Sequence, residues 1–168
     1  DNTMDGTAGV FTVVQIANDL NDYNIVITNN TMTNVACLLR SKGQSAPLTI
    51  TGNTGTVGAI GAAVGFINPF MAGGSMACGA ITSKNNVWTM TSPAANDGKG
   101  LIIGSPLIAT AVTRTWRFTN DVFDWDADAG AACQFMEVTD LDAASHANAR
   151  LNVIFTNFVQ NRHLCSRE

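Results

Sequence analysis

The polar stretches of this chain are built from amides, hydroxyls and glycines and carry almost no charge, as in NNTMTN (29–34) and TITGNTGTVG (49–58). Charged residues make up 13% of the sequence, against about a quarter in an ordinary globular protein. Any fold the chain adopts must therefore cover its surface with Asn, Thr, Ser, Gly and Ala. Neutral polar groups cost less to bury than ions, and a weakly charged surface repels its own copies less. Such a surface suits packing of one copy against another, and it also suits a plain secreted globule. The formal net charge is −4 with only 9 Lys and Arg, too few and too scattered for a stripe that tracks phosphates, so no nucleic-acid partner is expected.

The 168 residues fit a single domain spanning 1–168, with enough length to bury a sizeable core. No linker, internal repeat or low-complexity block stands out. Residues 8–23 place Val10, Val13, Val14, Ala17 and Leu20 at helical spacing, which predicts an amphipathic helix. A short strand is expected at Ile25–Ile27, ended by a turn at NNTMTN. From 48 to 67 β-prone pieces alternate with glycines. The spacing of Gly58, Gly61 and Gly65 suits close approach of two segments better than a phosphate loop, which would need a Lys-Ser or Lys-Thr pair or an acid downstream. Further strands are expected at 86–90, 101–103, 107–118 and 151–159. A second helix is expected from Thr139, with Asp142 as its capping-box acid, to Arg150. The predicted fold class is α+β: an N-terminal amphipathic helix packed on a mainly antiparallel sheet, stabilised by disulfides.

The cysteines are Cys37, Cys78, Cys133 and Cys165. None form the close pair that zinc sites draw on, so two disulfides are expected. Three pairings are open, the sequential Cys37–Cys78 and Cys133–Cys165 being preferred over the others, and each would contribute about 3–4 kcal/mol by loop closure. Disulfides imply an oxidising, extracellular or cell-surface location. Asn29-Asn30-Thr31 matches a glycosylation sequon. The longest nearly apolar run, 57–67, is too short to cross a bilayer, so any membrane attachment is expected to come from a segment upstream of Asp1.

Seven of the 13 acidic residues fall between Asp121 and Asp142. Asp124, Asp126 and Asp128 alternate in DWDADAG and can offer three oxygen ligands to a hard cation, so calcium is the one cofactor this sequence suggests. The bland alternative is a solvated acidic turn beside Trp125. The pattern departs from the EF-hand loop: glycine comes one place late, at Gly130, and Phe135 stands where the bidentate Glu belongs. Catalysis finds little support. The two histidines, His146 and His163, lie near no nucleophile that could meet them: Ser145 is a sequence neighbour of His146 and points elsewhere, and no G-x-S-x-G elbow occurs. No catalytic residue is assigned and the chain is expected not to be an enzyme.

The order of elements, an N-terminal amphipathic helix at 8–23, a β-rich middle and a last segment bracketed by Cys133 and Cys165, resembles the soluble domain of type IV pilins and pseudopilins. The resemblance implies that the helix continues an assembly helix whose hydrophobic opening lies upstream of Asp1. It also implies that the 133–165 segment is an exposed, partner-facing disulfide loop, and that calcium binds toward the C-terminal end. The expected function is thus an extracellular structural subunit, pilin-like and filament-forming. The alternatives are a self-assembling viral coat or shell protein and a secreted adhesion module ordered by calcium.

Overall fold

A computed structural model of the protein describes residues 2–5, 12–16, 24–35, 37–41, 47–57, 67–68, 79–90, 99–103, 113–125, 134–138 and 150–162. The strands follow one another as β1 (Thr3–Asp5), β2 (Thr12–Ile16), β3 (Ile25–Thr28), β4 (Thr31–Val35), β5 (Cys37–Ser41), β6 (Leu48–Thr51), β7 (Thr54–Val57) and β8 (Ile67–Asn68). They continue as β9 (Ile81–Lys84), β10 (Val87–Met90), β11 (Lys99–Ile103), β12 (Thr113–Thr119), β13 (Val122–Trp125), β14 (Gln134–Val138), β15 (Arg150–Thr156) and β16 (Val159–Arg162).

All the pairings among these strands are parallel. One sheet runs β1-β4-β7-β10-β13-β16 and a second runs β3-β6-β9-β12-β15. A third face is made of β2-β5-β8 and β11-β14, with β11 against β8. Each strand pairs with its counterpart one coil later, so the chain winds as a parallel β-helix whose repeating unit is the coil.

Side chains alternate in and out along each strand. In the five-stranded sheet the inward columns in register are Ile25, Leu48, Ile81, Trp116, Val153 and Ile27, Ile50, Ser83, Phe118, Phe155. The six-stranded sheet supplies Met4, Met32, Gly55, Trp88 and Phe123. Trp88, Trp116, Phe118 and Phe123 are fully buried, and together with the aliphatic columns they fill the bore of the helix. Gly55 has a steric reason: a Cβ there would collide with the backbone carbonyl of Met32. That close approach accompanies a register shift in β4 between Met32 and Val35, where Asn34 takes the left-handed conformation (φ 54°).

The α+β expectation is therefore overturned. No residue among those described is helical, and the sheets are parallel, not antiparallel. Thr12–Ile16, inside the expected helix 8–23, forms β2. The five apolar positions at helical spacing include Val13-Val14 between Thr12 and Gln15, and these β-branched residues suit a strand equally. The rest of 8–23 and the expected helix at 139–150, apart from Arg150 at the start of β15, lie outside the described residues. The reading of NNTMTN as a turn is half right: Asn29 and Asn30 turn the chain, and Thr31–Val35 is β4. Strands expected at 25–27, 86–90 and 101–103 match β3, β10 and β11. The C-terminal part of 107–118 matches β12, and 151–159 divides into β15 and β16. Without an N-terminal helix on an antiparallel sheet the pilin resemblance fails, and with it the pilus and filament-core reading.

The expected disulfide stabilisation fails among the described residues as well. Cys37 is buried in β5, where its thiol donates to the carbonyl oxygen of Leu39 (3.2 Å). Cys78, Cys133 and Cys165, and the pairings drawn through them, lie outside the described residues. Among the described residues, hydrogen bonds between coils tie the chain together.

Candidate functional surface

The two long sheets meet at a two-residue turn that recurs five times among the described residues: Asn29-Asn30, Gly52-Asn53, Asn85-Asn86, Asn120-Asp121 and Asn157-Phe158. The first residue of each turn has positive φ, between 47° and 67°. Asn and Gly are the residues that enter this region at least cost. A Cβ on Gly52 would strike the Asn29 side-chain oxygen.

The second residue points inward and builds a ladder. The Asn30 side-chain amide and backbone N–H both donate to Asn53 Oδ1, at 3.0 Å each. Those of Asn53 donate to Asn86 Oδ1 at 3.0 and 2.9 Å. Those of Asn86 donate to Asp121 Oδ1 at 2.9 and 2.8 Å. Asn2 begins the series by donating to Asn30 Oδ1 from both groups. The remaining amide hydrogens reach back: Asn53 Nδ2 donates to the Ile27 carbonyl and Asn86 Nδ2 to the Ile50 carbonyl, both at 2.9 Å. Asn53, Asn86 and Asp121 are wholly buried. A buried amide is tolerated only when its donors and acceptors are matched, and here each rung matches the next.

Asp121 ends the amide series. Burial pushes its carboxyl above the ordinary aspartate range, against the opposing effect of the hydrogen bonds with Asn86, Ser83 and the Thr119 backbone. Its Oδ2 is buried with no hydrogen-bond partner. The following rung is Phe158, which offers no acceptor. Outside the turn a second, exposed amide row forms, with Asn157 Nδ2 donating to Asn120 Oδ1 (3.2 Å) and Asn120 Nδ2 to Asn85 Oδ1 (3.1 Å).

The outward faces are where a partner would make contact. On the six-stranded sheet Thr3, Thr31, Thr54, Val87, Val122 and Val159 stand in one register column. At about 4.8 Å per strand the column runs roughly 24 Å. All six are β-branched and uncharged, and Val87 and Val159 are exposed. On the five-stranded sheet the outward columns are Val26, Thr49, Thr82, Arg117, Ile154 and Thr28, Thr51, Lys84, Thr119, Thr156. Among the described residues Val26 is the most exposed large apolar side chain, at 63%.

Of the residues suggested for calcium, Asp124 lies on β13 between Thr89 and Asn161 in register, and Asp126 and Asp128 fall outside the described residues. Among the described residues no group of three or more His, Cys, Asp and Glu is placed to hold a metal ion. The ladder went unread in the sequence although it leaves a signature: TNNT, TGNT, KNNV, TNDV and TNFV at 28–31, 51–54, 84–87, 119–122 and 156–159. No family model, curated protein or solved structure matches the chain.

Proposed function

We propose that the protein is an extracellular structural β-solenoid that works by surface contact, with further copies of itself as the first partner. The observation that carries this reading is the uncharged β-branched column across all six strands of one sheet. A flat stripe of Thr and Val buries apolar methyls against a matching surface and needs few ions to be stripped of water. The low charge of the whole chain favours the same partner, since copies meet with little electrostatic repulsion. With the Cys37 thiol engaged by its own strand, the extracellular placement rests on this neutral surface and not on disulfides. Self-assembly into a shell and adhesion to a foreign surface would both use such a face.

Light scattering coupled to size exclusion, over a hundredfold range of concentration, tests the reading. Assembly that grows with concentration is expected for the native chain and is expected to disappear in Val87→Lys/Val159→Lys, with the thermal midpoint little changed because both side chains point to solvent. A strictly monomeric native chain at all concentrations would sink the proposal.

A further inference from the structure

The ladder contains one residue whose chemistry does not fit its place. Asn53 and Asn86 each use the second amide hydrogen to reach the strand carbonyl one coil back, those of Ile27 and Ile50. Ile27, Ile50 and Ser83 are consecutive in register, so the Ser83 carbonyl is the acceptor due to the next rung. That rung is Asp121, and the atom standing where Nδ2 would stand is Oδ2, buried and without a hydrogen-bond partner. An ionised carboxylate there would put negative charge in the bore and leave two acceptors facing each other with no hydrogen between them.

We propose that Asp121 closes the ladder as a neutral carboxylic acid, its Oδ2 hydrogen donated to the Ser83 carbonyl, which makes this rung an acid-strengthened latch on the last coils. The proton supplies the hydrogen that Asn supplies at the earlier rungs. The latch opens when the proton leaves, at the junction between the coil of Asn86 and the coil of Asp121. Charged side chains on the neighbouring elements do not replace it. Lys84 on β9 and Arg117 on β12 are exposed and outward, and Asp124 on β13 is on the outward register. Arg114 on β12 has a buried Nε without a hydrogen-bond partner. No charged group is among the causes that move the Asp121 carboxyl, and burial is the largest of them.

The sign of the pH dependence follows. A carboxyl with a raised value in the folded state holds its proton more tightly there than in the unfolded chain. Its contribution is fully present below the ordinary value of about 3.9 and is lost as pH rises through the raised one. Thermal unfolding of the native chain and of Asp121→Asn, from pH 3 to pH 8, reads this directly. At neutral pH the variant is expected to melt about 2–8 °C higher, and the gap is expected to close on acidification. Other carboxyls titrate alike in both chains and cancel in the difference. A gap independent of pH, or a less stable variant at neutral pH, would overturn the proposal. If the variant does not fold, the carboxyl carbon of Asp121 followed by NMR in the native chain decides instead: a midpoint above about 3.9 is expected, and one at or below it rejects the latch.

Discussion

The same two-residue turn is filled by two chemistries along the molecule. From Asn2 to Asn86 the inward rungs are amides, each passing two hydrogen bonds to the next. At the last coil the rung is Phe158, and hydrogen bonding gives way to ring packing. Phe158 stacks on Phe123 with centroids 5.6 Å apart and meets Phe155 at 4.9 Å, while Phe155 stacks on Phe118 at 5.2 Å. The burial differs in step: Phe118 is fully covered, and Phe155, next in the same column, is 45% exposed. An amide rung is specific in register because a slip by one residue leaves several buried groups unmatched. An aromatic rung tolerates displacement and works at an end where one side faces water.

The amide series is most sensitive at Asn53. Asn53→Ala removes the acceptor for two groups of Asn30 and the donor to Ile27 and Asn86, all in the dry interior. A loss of about 3–5 kcal/mol is expected in chemical denaturation. A loss below about 1 kcal/mol would show that water replaces the rung and that the amides do not hold the register. Phe158→Ala should cost less, roughly 1–2 kcal/mol, because the ring is only partly buried and its neighbours can close in. Hydrogen exchange should place the damage in β15 and β16 and leave β4 and β7 protected. The smallest effect is expected at Asn120→Gly, which keeps the left-handed turn and removes the exposed amide bonds to Asn85 and Asn157. A change within about 0.5 kcal/mol would separate the solvated outer row from the buried inner one. A change as large as that at Asn53 would erase the distinction.

Several strands were legible because their residues are locally β-prone. Ile25–Ile27 and Val87–Met90 are short runs rich in β-branched and aromatic side chains, and nothing distant is needed to see them. The coil was hidden for two physical reasons. Its rungs are 28, 23, 33, 35 and 37 residues apart, so no fixed period exists to be detected. Its defining residues are Asn and Asp, which local reasoning assigns to exposed turns, although Asn53, Asn86 and Asp121 are the driest polar groups described. What permits their burial is a partner one coil away, and local pattern cannot report that. The surface was legible only as a tendency: low charge foretold a neutral exterior, and the ordered Thr and Val column appears only once the register is known. Asp121 was visible as one acid in a cluster of seven. Its separation from Asp124, which lies on the outward register, is a matter of strand parity.

The unequal rung spacing has a consequence for how such a chain can change over time. Ile25, Leu48, Ile81, Trp116 and Val153 stand at one constant offset before their rungs, so the stretch from strand through turn to strand is held at fixed length while the remainder of each coil is not. Insertions and deletions that fall in the remainder leave the ladder and both sheet faces in register. The molecule therefore has a heritable division between an invariant spine and elastic segments, and new loops can be acquired coil by coil without refashioning the rod that carries them.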